Sequence, residues 1–167
     1  MSKILIVYYS RSGNTKEMAE SIAKGARAVG NVEVVVKTVQ DAEVDELLEA
    51  GAVIIGSPTY YGSMASEIKR FIDDSIRLHG KLEGKVGGAF SSSGAMGGGN
   101  ETTVMCILGS LLIHGMIVQG SSKGAHYGPV AVGKPDAVSK SVCEEYGKRI
   151  ARLVLKMHPD RRAEQTD

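Results

Sequence analysis

One short stretch near the start of the chain concentrates hydroxyl and amide side chains around a glycine. An apolar, β-branched run at residues 4–7 precedes it, as in a strand buried on both faces. A stripe of Met18, Ile22 and Ala26, typical of a helix, follows it. A turn from strand to helix directs backbone N–H groups and the positive end of the helix dipole at one point. The stretch therefore predicts a phosphate-binding loop formed by Ser10, Arg11, Ser12, Gly13, Asn14 and Thr15.

The same stretch also fits a simpler interpretation, in which Ser12 or Asn14 only caps the helix that follows. It is not a Walker A motif, because no Gly-Lys-Ser/Thr sequence follows it. The dinucleotide fingerprint is also absent, because the spaced glycines of that motif are missing. If the stretch binds phosphate, the sequence favours a terminal monophosphate.

A second candidate loop follows the third predicted strand, residues 52–56. Proline cannot continue a central strand, so we expect the strand to end before Pro58. Ligands of open α/β sheets bind outside the carboxyl ends of the strands, where aromatic side chains can stack on a planar ring. Two exposed tyrosines in a surface turn are the alternative. The candidate residues in this loop are Pro58, Thr59, Tyr60, Tyr61 and Gly62.

A third candidate loop, rich in serine and glycine, follows the fourth predicted strand, residues 85–90. Small side chains leave backbone N–H and C=O groups unshielded, so such a loop can wrap a flat heterocycle. A flexible linker is the weaker alternative, because a strand precedes the loop and a helix follows it. The candidate binding residues are Ser91, Ser92, Ser93, Gly94, Met96, Gly97, Gly98 and Gly99.

The order of elements predicts an α/β fold with a doubly wound, five-stranded parallel sheet. We expect one domain over residues 1–157, a long loop over residues 120–133, and a polar, disordered tail over residues 158–167. Neither Cys106 nor Cys143 belongs to a C-x-x-C pair, so both are expected to be small buried residues. The residue pattern predicts no metal site.

Nothing in the net charge of +1 suggests a nucleic-acid-binding arm or a surface for an anionic membrane. The sequence shows no signal peptide and no apolar run long enough to cross a bilayer. We therefore expect a cytoplasmic protein with no nucleic-acid partner and no membrane insertion. The helix predicted over residues 101–112 is too apolar to face water on its outer side, which predicts a homodimer or homotetramer.

The chain resembles a known family along nearly its whole length. Its fold resembles that of flavodoxin, with strand order 2-1-3-4-5, and its first loop resembles the flavodoxin phosphate loop. Residues 90–103 are similar to the flavin-ring loop of the NAD(P)H:quinone oxidoreductases related to tryptophan-repressor-binding protein. Residues 56–59, 114–116 and 127–128 also resemble that branch.

This resemblance implies an FMN cofactor bound by the three loops, and NADH or NADPH as substrate. Two electrons would pass from the nicotinamide nucleotide to FMN and then to a quinone, in a ping-pong mechanism. By the same resemblance His114 would line the substrate side, either in its own chain or in a neighbouring subunit, and Tyr127 would lie nearby. From its position alone, His114 can equally well be a helix C-terminal residue that complements the dipole.

Two other functions remain open on the sequence. One is a flavodoxin-like FMN electron carrier that acts with a redox protein partner. Carriers of this kind are usually strongly acidic, so the charge of +1 counts against it. The other is a flavin-binding regulatory protein without turnover.

Overall fold

The computed structural model describes residues 1–158 of the 167-residue chain. Seven strands, five α-helices and one 3₁₀ turn (Ser75–Leu78) follow one another in it. The strands are β1 (Ser2–Tyr8), β2 (Val32–Thr38), β3 (Ala52–Tyr60), β4 (Ser63–Met64), β5 (Val86–Ser93), β6 (Ile117–Val118) and β7 (Val130–Val132). The helices are α1 (Asn14–Arg27), α2 (Glu46–Glu49), α3 (Ser66–Asp74), α4 (Asn100–Ile113) and α5 (Ala137–Met157).

The central sheet is parallel, with the order β2-β1-β3-β5-β6. It confirms the predicted order 2-1-3-4-5, with β5 as the fourth main strand and β6 as the fifth. Within this sheet Ile6 lies beside Val36 of β2 on one side and beside Ile54 of β3 on the other. Both faces of the sheet are covered, which explains why β1 is apolar throughout its second half.

Two apolar cores lie on opposite faces of the sheet. On one face α1 and α5 pack over Ile6, Ile54 and Phe90. On the other face α2, α3 and α4 pack over Leu5, Val53 and Ile55, among other residues. The alternation of side chains along each strand sends neighbouring residues such as Leu5 and Ile6 into different cores.

Helices α1 and α5 approach each other more closely than side chains would permit. A Cβ atom on Gly25 would stand 1.9 Å from the carbonyl oxygen of Glu144, and one on Gly147 would stand 2.0 Å from that of Ile22. Each glycine therefore packs directly against the backbone of the facing helix. These two glycines serve helix packing, so not all of the chain's glycines mark loops.

Strand β3 is longer than the sequence predicts, because it continues through Pro58 to Tyr60. Its pairing with β1 ends at Gly56, whereas its pairing with β5 continues to Pro58. Pro58 thus lies where β3 has become an edge strand on one side, and a proline is tolerated there. The chain then turns at Tyr61 (φ 49°) and Gly62 (φ 77°), a two-residue hairpin connection to β4.

Strand β5 also extends past its predicted end, through the three serines 91–93. Its extension is paired on both edges: Ser91 and Ser92 lie beside β3, and all three serines lie beside β7. The predicted serine and glycine loop is therefore shorter than expected and begins at Gly94.

The edge of the sheet beyond β5 is interrupted, because β6 pairs only with its start and β7 only with its end. Between them the amide of Ala89 donates to the hydroxyl of Tyr146 on α5, at 2.9 Å. A Cβ atom on Gly128 would come within 2.1 Å of the Ala89 carbonyl oxygen. The segment predicted as one loop over residues 120–133 therefore contains β7 and packs tightly against β5.

The last helix begins at an N-cap, where the side chain of Asp136 accepts from the Ser139 amide at 2.7 Å. His158 is exposed and follows α5 directly. The rest of the predicted tail, residues 159–167, lies outside the described residues. No helix among residues 1–158 has the length and apolar character needed to span a membrane.

The contact between α1 and α5 can be tested by adding one methyl group. We expect Gly147→Ala to lower the free energy of unfolding by roughly 1–3 kcal/mol or more, because the helices must separate to admit it. Urea unfolding followed by circular dichroism measures this. Gly94→Ala is the matched control, because a Cβ atom there meets nothing within 4 Å. Equal free energies of unfolding for Gly147→Ala and Gly94→Ala would contradict the close approach of α1 to α5.

Candidate functional site at the carboxyl edge of the sheet

Three loops that follow β1, β3 and β5 meet at the carboxyl edge of the sheet. The hydroxyl of Thr15, after β1, lies 2.9 Å from that of Ser92 on β5. The rings of Tyr9 and Tyr60 meet edge to face, with centroids 6.5 Å apart. A Cβ atom on Gly99 would stand 2.8 Å from Cα of Gly62, so the third loop touches the hairpin turn. The structure thus brings the three predicted loops together.

The first loop presents the N-terminus of α1 without a side-chain cap. The N-cap residue is Gly13, with φ 92°, so neither Ser12 nor Asn14 caps the helix as the alternative interpretation required. Ser10 instead accepts from the amides of Gly13 and Lys16, at 3.1 and 3.3 Å. The amides of Asn14 and Thr15 have no intrahelical acceptor, as at every helix start. These donors and the helix dipole suit a phosphate group.

The predicted residues of this loop differ in where they lie. Arg11 and Ser12 are exposed, and Gly13 and Asn14 are partly buried. Thr15 is 1% exposed, and its hydroxyl joins the loop to β5 through Ser92. Thr15 therefore fixes the position of the loop as well as lying within it.

The second and third loops are held together by a small hydroxyl network. The Thr59 hydroxyl lies 3.0 Å from that of Ser91, and the Thr103 hydroxyl lies 3.0 Å from Thr59 and donates to the Gly99 carbonyl at 2.9 Å. Thr102 donates to the carbonyl of Gly62 at 2.9 Å. The run that resembles a flavin-ring loop includes these two threonines, but they were not among the predicted site residues. Their signal was their position in the first turn of α4, directly after the glycine run.

The serines and glycines of the third loop have different roles. Ser91, Ser92 and Ser93 are buried strand residues whose hydroxyls bond to other parts of the protein. Residues 94–98 are exposed, including Met96, whose side chain is 92% exposed. A ligand at this edge would therefore meet the backbone of residues 94–98 and not the serine side chains.

Two tyrosines of the hairpin face outward beside this backbone. Tyr61, at the tip of the turn, is fully exposed, and Tyr60 is 37% exposed. Tyr60 rests against Tyr9, whose hydroxyl bonds to Glu67; that bond and burial raise the pKa of Tyr9. Flat aromatic surfaces next to unshielded amides suit the recognition of a planar ring.

His114 does not lie with these loops in its own chain. It is the C-cap of α4, and fourteen helical residues separate it from the glycine loop, a span of about 20 Å. Its side chain is 9% exposed, with Nε2 2.8 Å from the Ser75 hydroxyl. Burial, and then the neighbouring His79, lower the pKa of His114. Within one chain His114 is therefore remote from the three loops, and a place on the substrate side of a neighbouring subunit stays a prediction.

Tyr127 lies at the border of the site. It is half exposed and lines a small cleft of about 220 Å³ with Glu101 and Val104 of α4 and Val138 of α5. The cleft adjoins the first turn of α4, which starts at the glycine loop. Among residues 1–158, no group of three His, Cys, Asp or Glu side chains is placed to hold a metal ion.

Comparisons with known proteins agree with this geometry. A family model described as "Flavodoxin domain" matches residues 5–104. A protein of Aquifex aeolicus (strain VF5) named flavodoxin is 41% identical over 162 residues, covering 92% of this chain and 88% of that protein. An Archaeoglobus fulgidus protein named NAD(P)H dehydrogenase (quinone) is 35% identical over 191 residues, covering 94% of this chain and 100% of that protein.

A solved structure from Agrobacterium tumefaciens, titled a flavodoxin, WrbA-like protein, is also similar. It has a TM-score of 0.78 and 27% identity, and the match covers 94% of this chain and 99% of that one. The match of the family model to more than half of the chain, together with relatives at 41% and 35% identity, shows that this chain belongs to the flavodoxin family.

Proposed function

We propose that this protein is an FMN-dependent oxidoreductase that transfers two electrons from NADH or NADPH to a quinone by a ping-pong mechanism. The observation that carries the proposal is the exposed surface that the hairpin tyrosines form with the backbone of residues 94–98. Such a surface can bind the nicotinamide ring and then the quinone ring. A ping-pong mechanism requires this alternation of two substrates at one site. The relative named NAD(P)H dehydrogenase (quinone) supports the same activity.

The flavodoxin family implies FMN, and the residues at the sheet edge fit it. The uncapped N-terminus of α1, with the exposed hydroxyl of Ser12 and the amide of Asn14, would hold the terminal phosphate. Tyr60, Tyr61 and the glycine loop would hold the ring system. FMN, when bound, accepts a hydride and passes its electrons on. The protein's amides in residues 94–97 would donate to the ring and favour its reduced form, whereas the Gly98 amide already donates to the Ala95 carbonyl.

An electron carrier is the second candidate, favoured by the 41% identical relative named flavodoxin. A carrier meets its protein partner through complementary charge, whereas this chain has a net charge of only +1. The two candidates differ in one property. A reductase reacts directly with a nicotinamide nucleotide, and a carrier receives its electrons from another protein.

Reaction with nicotinamide nucleotides therefore tests the function. We expect NADH or NADPH to bleach the flavin absorbance of the purified, FMN-loaded protein without oxygen, and benzoquinone to restore it. Steady-state rates at several concentrations of both substrates should give the parallel reciprocal plots of a ping-pong mechanism. If neither nucleotide bleaches the flavin while dithionite does, the protein is not a reductase and the carrier remains.

We also propose that a second copy of the chain covers the outer face of α4. Met105, Leu112 and Ile113 are 46%, 57% and 74% exposed there, and Ile117 beyond the helix is 36% exposed. Cys106 shares this face and is exposed, so the expectation that both cysteines are buried was wrong for it. The face from residue 105 to residue 113 carries no charge, which disfavours a charged partner. A two-fold axis would pair two such faces.

An acidic substitution on this face tests the proposed assembly. We expect Ile113→Glu to shift the protein towards a monomer, because pairing would bury an unpaired carboxylate. Multi-angle light scattering at micromolar concentration measures the mass. Val138→Glu is the matched control, because Val138 is 71% exposed on α5, beside the first turn of α4 and not among residues 105–117. A monomeric parent protein would contradict the proposal outright.

We infer that His114 has a structural role. The Ser75 hydroxyl donates to the Ile72 carbonyl at 2.6 Å, so the His114 Nε2–H is the donor in the bond between the two side chains. Its neutral form is the one the fold favours, because burial lowers its pKa in the folded state below the usual 6.5. The unfolded chain then binds the extra proton first as the pH falls.

The pH dependence of stability tests this role. We expect His114→Gln to cost roughly 1–3 kcal/mol at pH 7.5. The stability that neutral His114 contributes is present above about pH 6.5 and is lost as the pH falls. The difference from the parent protein should therefore shrink at pH 5, as measured by urea unfolding. His158→Gln, a substitution at an exposed position after α5, should stay within about 0.5 kcal/mol at both pH values. Loss of quinone turnover per folded His114→Gln enzyme would instead place His114 in a catalytic site.

A further inference from the structure

A cleft of about 600 Å³ opens beside α5, on the edge of the sheet where the fifth strand is interrupted. One wall is the segment from Gln119 to Ala125, which leaves the sheet after β6, and the other is the exposed side of α5. Arg149, in this cleft, lies thirteen residues beyond the helix N-cap, or about 20 Å along α5 from the carboxyl edge. The Arg149 end of the cleft is therefore separate from the three loops of the candidate flavin site, whereas Ala125 and Val142 at its other end also line the Tyr127 cleft.

The charged side chains that line the cleft are predominantly cationic. Lys123, Arg149, Arg152 and Lys156 contribute four positive charges, and within residues 1–158 none of them forms an ion pair with an acidic side chain. The only acid in the lining is Glu145, which pairs with Lys148 at 2.6 Å. A concave surface with this excess of positive charge attracts anions.

Arg149 is held in place by an anchored aromatic ring. Its guanidinium carbon lies 5.0 Å from the centroid of the Tyr146 ring, in a cation–π arrangement. Tyr146 is buried and its hydroxyl accepts from the Ala89 amide, while a Cβ atom on Gly88 would come within 2.4 Å of that hydroxyl. The ring cannot move without breaking the sheet edge, so the stacked guanidinium is pre-oriented.

Two nitrogens of this guanidinium lack hydrogen-bond partners. Nε and Nη2 of Arg149 are buried, and no acceptor within residues 1–158 reaches them. Buried donors normally have partners, because an unpaired one costs free energy. Nε and one terminal nitrogen are the pair of donors through which arginine binds two oxygens of a phosphate or carboxylate. Both atoms are covered, so an anion reaches them only when neighbouring side chains shift.

We propose that this cleft binds a phosphorylated small organic molecule. Its phosphate would lie between Arg149 and Arg152, with Lys123 and Lys156 adding charge, and its remaining part would lie against Val142 and Leu153. Four cations suit a phosphate better than a carboxylate, because a phosphate carries more charge and more acceptor oxygens. The volume falls in the usual range for small-molecule sites, about 300–1,000 Å³. The proposal does not depend on the reaction proposed above.

Calorimetric titration of the FMN-loaded protein tests the cleft, with AMP and inorganic pyrophosphate as probes at low salt. Bound FMN keeps the phosphate loop occupied, and flavin absorbance recorded in parallel shows that it stays bound. We expect AMP to bind with one site per chain. Arg152→Gln should weaken AMP binding roughly ten- to a hundredfold, the effect of losing a charged hydrogen bond. Lys69→Gln removes the same charge from an exposed position on α3 and should change the affinity less than about twofold.

A second variant, Arg149→Gln, should have an effect at least as large, with circular dichroism to show that it folds. Arg152→Gln decides the question if Arg149→Gln does not fold, because Arg152 is exposed. Absence of heat with both probes at millimolar concentration would overturn the proposal. Equal weakening by Lys69→Gln would also overturn it, because binding would then reflect general surface charge. Binding of pyrophosphate without AMP would exclude the organic ligand.

Discussion

Strand β5 carries N–H and C=O groups on both edges, and because the strand is buried each of them must find a partner. On one edge β3 supplies these partners as far as Ser92. On the other edge β6, the Tyr146 hydroxyl and β7 supply them in succession. This arrangement carries β5 through its serines to the carboxyl edge, where the glycine loop and α4 begin. It also fixes Tyr146, against which Arg149 stacks.

The elements with a strong local signal could be predicted from the sequence. The apolar run of β1, the hydroxyl-rich turn and the stripe of α1 correctly predicted a strand, a turn and a helix at the first loop. Strand order followed from the resemblance and from the alternation of strands and helices. The glycine run before α4 marked the third loop, although it begins at Gly94, three residues later than predicted.

Features that depend on distant partners could not be predicted. Pro58 argued for the end of β3, but the strand continues because β1 has already ended beside it. Strand β7 is only three residues long and exists because the end of β5 offers it an edge. In the sequence Thr102 and Thr103 look like ordinary helix residues, because their bonds to the hairpin at Gly62 and Thr59 form only in the folded protein. The sequence left His114 with two interpretations, a residue on the substrate side or a residue that complements the helix dipole. The structure shows that the whole length of α4 lies between His114 and the glycine loop of its own chain.

The close packing of α1 on α5 has a mechanical consequence. With backbone in contact with backbone at Gly25 and Gly147, neither helix can slide or roll over the other as helices with longer side chains can. The two helices therefore behave as one rigid unit. One end of this unit presents the uncapped amides of α1, and the exposed side of α5 carries Arg149 and Arg152. If one anion is bound at the start of α1 and another at the arginines of α5, the distance between them stays constant even when the exposed loops of the protein move.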